Sequence, residues 1–385
     1  MDAALNPFAP GAGTPPPALV GRDEQLEALR VLLARLSAGR PERSIVICGL
    51  RGMGKTALLR EMYVRARESD WRASYVEARR GLDLRLTFVE QALEQLAGLS
   101  IAEKAKSSFN QMLDFIKALR AAASPGGVQV DVDPSLLAPL GHSLEADLGA
   151  LLSRVGEFAQ MQGIGVVFFC DELQELDEDG MEALCAAMHR VTQERLPIAL
   201  VAAGLPSLPG RLATAKSYAE RLFSYPVVGP LDDEDARAAL TTPLPDGVAI
   251  APRALDDLVQ FAEGYPLLLQ LVGKHAWDIA DGSRIGTSDV GRAKPAAFES
   301  LSRELFLARW QRATPRERDY LRSIAELGGQ TTSADAARGA GYADTTAAGP
   351  ARDQLIGKGL LWAPERGQVA FTIPLFERFI LDQPA

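Results

Sequence analysis

One short segment of the chain has the residue types and spacing needed to hold a phosphate group. Residues 49–56 read G-L-R-G-M-G-K-T and match the pattern G-x-x-x-x-G-K-[ST]. The segment follows an apolar run, Ser44–Cys48, and opens a helical pattern. Glycines let successive backbone N–H groups curl around an anion, and the helix N-terminus adds partial positive charge. The alternative, a chance glycine-rich turn, is disfavoured by the flanking strand and helix.

We therefore predict that this loop binds ATP or ADP. Lys55 is expected to neutralise the β- and γ-phosphates, and the Thr56 hydroxyl to coordinate the Mg²⁺ ion that bridges them. The predicted nucleotide-binding positions of the loop are Gly49, Gly52, Met53, Gly54, Lys55, Thr56 and Ala57.

A pair of carboxylates follows a second apolar run, residues 165–170. We predict that Asp171 holds the Mg²⁺ ion and that Glu172 polarises an attacking water molecule, which favours hydrolysis over transfer to another acceptor. The alternative is that both acids only cap a helix N-terminus. The polar and acidic residues 174–179 are interpreted as a solvated loop rather than further catalytic groups.

The elements that must position these groups follow an α/β pattern. Apolar strand-like runs alternate with amphipathic helical stripes up to about residue 230, which is typical of a parallel sheet covered by helices on both faces. The predicted strands are residues 44–48, 73–77, 165–170, 196–203 and 225–228. Because parallel strands end at the same edge of a sheet, the phosphate loop and the carboxylate pair can meet there.

Composition excludes several classes of protein. The 385 residues are 47% hydrophobic and 24% charged, which fits two or three globular domains and not a disordered chain. A net charge of −9 excludes a polycation that binds nucleic acid by bulk charge. Three scattered cysteines and three histidines predict neither a disulfide framework nor a structural metal. With no signal peptide and no apolar run long enough for a bilayer, a cytoplasmic protein without membrane contact is expected.

The pattern divides the chain into four parts. Residues 1–17, rich in Ala, Gly and Pro, are predicted to be a flexible tail. Residues 18–230 form the core, with an insertion at about 100–142 that includes a short β-like run at 128–130. Residues 231–298 form a helical lid with helices at 232–240, 252–262 and 267–279. Residues 299–385 contain three helices and a hairpin, the pattern of a winged helix.

With these motifs in place, the chain resembles the AAA+ superfamily, in particular bacterial ATPases related to origin-recognition proteins and to STAND signalling ATPases. Leu19-Val20-Gly21-Arg22 is similar to the segment that lines the adenine, which implies that role for Val20, Gly21 and Arg22. Gly264-Tyr265-Pro266 is similar to the G-x-P motif of STAND proteins, which implies that Pro266 packs near the nucleotide. The alternatives are purely structural roles: Asp23 as a helix cap and Gly264 as a helix boundary.

Two further expectations come from the resemblance. Arg221, just before the fifth strand, is the candidate arginine finger, which acts only if a homo-oligomer brings it to a neighbouring subunit's γ-phosphate. Pairing of Arg221 with a local acid is the alternative. The fourth strand ends in Ala203-Gly204 without the polar sensor that the family usually has, so slow turnover is expected; Ser207 is a weak substitute.

The C-terminal part leaves its partner open. Residues 301–385 contain eleven Lys/Arg and ten Asp/Glu, so the net charge is near +1. Arg352, Lys358 and Arg366 are the cations expected to contact duplex DNA from the third helix and the hairpin. The leading hypothesis is an ATP-hydrolysing switch that couples nucleotide state to the winged helix, with DNA as a possible target. A STAND-like signalling or defence switch that acts on a protein partner is the alternative.

Overall fold

The computed structural model describes residues 1–11, 13–96, 106–123 and 143–384. Its centre is a parallel sheet of five strands in the described residues. The strands are β1 (Ser44–Cys48), β2 (Arg72–Glu77), β3 (Val166–Asp171), β4 (Ile198–Gly204) and β5 (Phe223–Ser224). Their order across the sheet is β2-β3-β4-β1-β5, and every neighbouring pair is parallel. The predicted parallel α/β sheet is confirmed.

Helices cover both faces of this sheet. They are α1 (Asp23–Ser37), α2 (Lys55–Glu68), α3 (Leu84–Leu96), α4 (Lys106–Ala123), α5 (Leu144–Gln162), α6 (Glu178–Gln193), α7 (Leu208–Ala215) and α8 (Ala219–Leu222). Along β1, Ile45 and Ile47 face a hydrophobic cluster with α1 and α2, whereas Val46 and Cys48 face a second cluster with α3 to α7. Because successive strand side chains point to opposite faces, an unbroken apolar run is what a two-sided core requires.

The fifth strand is shorter and earlier than predicted: Pro226 has no N–H group to continue a ladder, so β5 ends at Ser224 and only Val227 forms a bridge, to Cys48. Helix α4 is the described part of the predicted insertion and packs against α3 and α5. The predicted β-like run at 128–130 lies outside the described residues.

The segment that follows the sheet contains the three helices predicted for the lid, a fourth helix and a pair of short strands. Its helices are α9 (Asp233–Thr241), α10 (Pro252–Ala262), α11 (Pro266–Ile279) and α12 (Thr287–Leu301), and β6 (Ala249–Ile250) pairs with β7 (Arg284–Ile285). Helix α12 was not predicted, since Pro295 interrupts its pattern. A π-helical turn, Ser302–Phe306, and α13 (Leu307–Gln311) lead into the C-terminal part.

The C-terminal part contains the three predicted helices and the hairpin. Its elements are α14 (Pro315–Glu326), β8 (Gln330–Thr332), α15 (Ser333–Gly339), α16 (Thr345–Gly357), β9 (Leu361–Trp362), β10 (Gln368–Phe371) and α17 (Phe376–Leu381). The strands pair antiparallel in the order β8-β10-β9. Helix α14 begins with a capping box, in which Thr314 and Glu317 each accept a hydrogen bond from the other's backbone N–H. Strand β8 and helix α17 were not predicted.

The N-terminal segment differs from its prediction as a flexible tail. Phe8 is only 3% exposed and packs against Gly273 of α11, where a Cβ atom would lie 2.8 Å from the ring. The Asn6 amide donates to the Lys274 carbonyl at 3.0 Å and to Asp278 at 2.8 Å. One aromatic ring and one amide therefore anchor a segment whose average composition predicts disorder. In the described ranges, no helix is long and apolar enough to cross a bilayer.

Candidate nucleotide site

The loop between β1 and α2 has a backbone course that requires its glycines. Gly52 and Gly54 have φ angles of 78° and 84°, in the left-handed region that favours glycine. At Gly49 a Cβ atom would overlap the Val228 carbonyl oxygen. The loop therefore opens toward the N-terminus of α2, where free N–H groups and the helix dipole attract an anion.

Lys55 lies inside this loop. Its side chain is buried, and its Nζ donates a hydrogen bond to the Leu50 carbonyl at 2.8 Å. Burial lowers the pKa of Lys55 to about 8, although the nearby Glu172 and Asp171 carboxylates oppose that effect. A poorly solvated ammonium held by one backbone carbonyl is well prepared to bind a phosphate.

Asp171 ends β3 and is held by three donors. Its Oδ2 accepts hydrogen bonds from the Thr56 hydroxyl at 2.6 Å and from the Tyr75 hydroxyl at 3.1 Å, and its Oδ1 accepts one from the Glu172 N–H at 2.8 Å. The structure thus brings the two predicted Mg²⁺ ligands, Thr56 and Asp171, into contact. Tyr75, on β2, was missed by the sequence analysis; burial, followed by the Asp171 charge, raises its pKa.

Glu172 lies beside Asp171 with its backbone in the left-handed region, at φ 51°. One carboxylate oxygen lies 3.5 Å from the Arg51 guanidinium, and the other accepts a hydrogen bond from the Gln174 amide. Gln174 is buried, which differs from the solvated loop predicted there, whereas Asp177 caps α6. Neither Arg51 nor Gln174 was identified from the sequence, because only the fold places them next to Glu172.

These groups line one side of a cavity of about 600 Å³. Most predicted nucleotide contacts line it, namely Val20, Arg22, Gly52, Met53, Gly54, Lys55, Thr56, Ala57 and Pro266, together with Asp171 and Glu172. Gly49 and Gly21 do not, since Gly49 faces Val228 and Gly21 faces Asp235. The cavity wall also includes residues that were not predicted, from the N-terminal segment (Ala9, Pro10) and from the C-terminal side (Glu304, Arg309).

Arg22 holds the walls of the cavity together. Its guanidinium donates to the carbonyl oxygens of Gly21 at 3.0 Å, Met53 at 3.2 Å and Gly229 at 3.0 Å. Burial lowers the pKa of this arginine, an effect that Asp235 opposes. The segment before α1, the phosphate loop and the connection to α9 are thereby fixed to one side chain.

The Gly264-Tyr265-Pro266 motif contacts the loop through its tyrosine. A Cβ atom on Gly52 would overlap the Tyr265 hydroxyl oxygen, and this hydroxyl has no hydrogen-bond partner among the described residues. Gly264 has φ 70°, and its carbonyl accepts a hydrogen bond from the Leu231 N–H at 2.8 Å. Pro266 begins α11 at the cavity wall, so the motif is both a helix boundary and a contact with the loop.

Arg221 lies far from this site. It is exposed on α8, just before β5, and β5 pairs Phe223 with Ser44 at the amino end of β1. The phosphate loop leaves the opposite, carboxyl end of β1. Arg221 therefore cannot act on a nucleotide bound to its own chain. This position agrees with the prediction of an arginine finger, which acts only on the nucleotide of a neighbouring subunit.

The C-terminal part contacts the phosphate loop directly. The Arg51 N–H donates to the Thr372 carbonyl at 3.0 Å, and the Arg51 guanidinium lies near Gly359. The Arg80 guanidinium donates to the Gly357 carbonyl at 2.7 Å. The segments after α16 and after β10 therefore contact the phosphate loop, and the end of α16 contacts the segment after β2.

The three cations predicted to contact DNA have different surroundings. Lys358 donates to both carboxylate oxygens of Glu317, at 2.7 and 2.6 Å, and to the Arg312 carbonyl at 3.1 Å. Arg352 is half-buried and pairs with Asp353 at 3.0 Å, and Arg366 is exposed. The expectation that Lys358 projects toward a partner is wrong, since the buried Glu317 carboxylate engages it.

Replacing Lys358 tests this structural role. Lys358→Met leaves Glu317 buried without its cation, so the free energy of unfolding is expected to fall by about 1–3 kcal/mol. Burial alone would raise the pKa of Glu317, but the hydrogen bonds from Lys358 and Thr314 lower it below 4.5. The wild-type chain is therefore expected to be more stable than Lys358→Met above pH 4.5. This difference in the free energy of unfolding disappears as the pH falls through the lowered pKa of Glu317. Urea unfolding across this pH range measures it; Arg366→Met is the control, and equal stability of the two variants would contradict the prediction.

Two protein-family models match parts of the chain. A family model described as an AAA ATPase domain matches residues 18–201, which contain the phosphate loop, β3 and the carboxylate pair. Residues 18–201 are therefore similar to an AAA ATPase domain. The predicted AAA+ resemblance is thereby confirmed for this part of the chain. A second model, described as a domain of unknown function (DUF8462), matches residues 303–380.

Solved structures resemble the chain well beyond the AAA ATPase domain. The Walker-type ATPase PABY2304 of Pyrococcus abyssi is 18% identical, with a TM-score of 0.57 over 94% of this chain and 96% of that one. Cdc6p from Pyrobaculum aerophilum is 14% identical, with a TM-score of 0.49 over 99% and 97% of the two chains. Aeropyrum pernix Orc1, solved in complex with DNA, is 15% identical, with a TM-score of 0.44 over 96% and 94%. No curated protein matches the chain. The first of these likenesses confirms the fold.

Proposed function

We propose that the protein binds ATP with Mg²⁺ in the cavity and hydrolyses it slowly, as a switch that couples the nucleotide to the position of its C-terminal part. The observation that carries this proposal is the convergence of Lys55, Thr56, Asp171 and Glu172 at one edge of the sheet. The oxygen donors of Thr56 and Asp171 suit a hard cation such as Mg²⁺. Glycines that leave the loop amides open suit a triphosphate.

Each side chain has a separate role in this proposal. Bound Mg²⁺ supplies charge stabilisation at the phosphate oxygens. Lys55 gives up the Leu50 carbonyl and binds the phosphates, while Tyr75 keeps Asp171 oriented toward Thr56. Glu172 orients the attacking water and accepts its proton. Arg221, exposed at the amino end of the strands, contributes only in a homo-oligomer, to the site of a neighbouring copy.

Slow turnover is expected from the composition of the end of β4. The end of β4, Ala203-Gly204, offers no side chain that can donate to the γ-phosphate. Ser207, at the N-cap of α7, is the weak replacement that the sequence offers, and its side chain makes no capping hydrogen bond.

The switch is supported by the contact between the loop and the C-terminal part. Arg51 belongs to the phosphate loop and contacts Glu172 through its side chain and Thr372 through its backbone. A nucleotide that moves Arg51 therefore changes a contact that the C-terminal part makes. Such a ligand shifts the position of that part to the extent that its contacts differ between the two arrangements.

A distance measurement tests the switch. Spin labels on Glu68→Cys in α2 and Arg366→Cys in the hairpin report the separation of core and C-terminal part; both positions are exposed, and the three native cysteines are buried. The distance distribution is expected to differ between Mg·ATP and ADP, and the same label pair with Lys55→Ala is expected not to respond. Identical distributions with both nucleotides would contradict the switch.

The arrangement of three helices and a β8-β10-β9 sheet supports a winged helix in the C-terminal part. Among the exposed residues of α16, only Asp353 is charged, and its charge is negative. The other exposed residues of this helix include Thr345, Thr346, Ala347 and Pro350. A surface that reads duplex DNA needs cations around it. This composition favours a protein surface as the partner, which is the STAND-like alternative. Salt-sensitive binding of duplex DNA would contradict that choice.

The three free thiols support action in the cytoplasm, a reducing compartment.

A further inference from the structure

A buried amide occupies the end of β4, where the strand itself has no polar side chain. Gln174 is 8% exposed, and its Oε1 accepts a hydrogen bond from the Leu205 N–H at 3.1 Å. A Cβ atom on Gly204 would lie 2.6 Å from that same oxygen. The glycine at the end of the strand therefore leaves the space that the Gln174 amide fills.

The orientation of this amide is fixed at both ends. Because a backbone N–H can only donate, the Gln174 oxygen must face Leu205, and its NH₂ group must then face the other way. In that direction Nε2 donates to a carboxylate oxygen of Glu172. The Arg211 guanidinium also binds the backbone carbonyls of Gln174 and Leu176, which holds the turn that carries the amide.

We propose that Gln174 is a positioning residue for hydrolysis, which links the Glu172 carboxylate to the end of β4. The inference rests on the proposed role of Glu172 as the general base. Gln174 does not line the cavity and acts through Glu172, whose second oxygen faces Arg51. With one oxygen held on each side, the carboxylate keeps a single orientation toward the phosphates, and no sensor side chain on β4 is needed to fix it.

Two substitutions of Gln174 separate positioning from a structural role. Gln174→Met keeps the shape and removes the donor, so kcat for ATP is expected to fall about ten- to a hundredfold with unchanged Kd for ATP. Gln174→Glu replaces the donor with a second carboxylate, which repels Glu172, so kcat is expected to fall at least as far as in Gln174→Met. A merely structural role would lower the melting temperature and the affinity for ATP together, without a separate loss of kcat.

A double variant and a second site complete the test. Gln174→Met is expected to cause no further loss of kcat in a Glu172→Gln background, since both changes remove the same function. Gly204→Ala, which displaces the amide oxygen from the other side, is expected to reproduce the loss of kcat even where Gln174 variants fold poorly. If Glu172→Gln itself leaves turnover intact, the proposed function fails. If Glu172→Gln abolishes turnover while Gln174→Met keeps the wild-type kcat, only the positioning role is overturned.

Discussion

Glu172→Gln is expected to bind ATP as tightly as the wild-type chain and to hydrolyse it at least about a hundredfold more slowly. The amide keeps the size of the side chain and can still accept a hydrogen bond from Gln174, so the cavity should be preserved. It cannot take a proton from water, and it no longer pairs with Arg51. Nucleotide affinity by calorimetry and release of phosphate at saturating ATP measure the two effects separately.

The matched control is Glu175→Gln. Glu175 lies three residues further along and pairs with Arg80, outside the cavity, so its removal changes the charge of the chain equally. We expect nearly wild-type turnover from this control. Equal turnover in Glu172→Gln and Glu175→Gln would show that Glu172 is not the general base.

Lys55→Ala is expected to weaken ATP binding by about a hundredfold. The ammonium is buried and bound to the Leu50 carbonyl, so it can bind a phosphate without much loss of hydration. Its pKa of about 8 adds a pH dependence. Phosphate binds the charged form, so ATP affinity of the wild-type chain is expected to fall as the pH rises above about 8, with proton uptake on binding.

Lys274→Ala provides the comparison for this second prediction. Lys274 lies on α11 of the lid and forms an ion pair with Asp278, 2.8 Å away, rather than facing the loop. Its removal is expected to leave ATP affinity and the pH dependence unchanged. A Lys55→Ala variant that binds ATP like Lys274→Ala would overturn the assignment of the cavity as the nucleotide site.

The sequence predicts the parts of this molecule that local patterns determine. The phosphate loop needs a strand, glycines and a helix start within a dozen residues, so residues 44–56 carry the whole signal. The strand before Asp171 is recognisable because burial on both faces demands an unbroken apolar run. These two patterns are sufficient to place Lys55, Thr56, Asp171 and Glu172 together, as the structure does.

The remaining features depend on contacts between distant parts of the chain. Lys358 has the residue type of a DNA contact, but Glu317, 41 positions earlier, binds it in the fold. Phe8 lies in a segment of low complexity and is ordered by Gly273, which only the tertiary structure brings near. Gln174 belongs to an acidic run typical of loops, yet the end of β4 buries it. No local pattern reports such pairings.

The hydrogen bond from Arg51 to Thr372 joins the phosphate loop to the C-terminal part through main-chain atoms alone. Exchange of either side chain leaves the donor and the acceptor in place; proline at position 51 would remove the donor. Thr372 further anchors its own segment by donating its hydroxyl to the Gly359 carbonyl at 2.6 Å. Divergent sequences that retain the fold can therefore inherit this link without preserving either residue type.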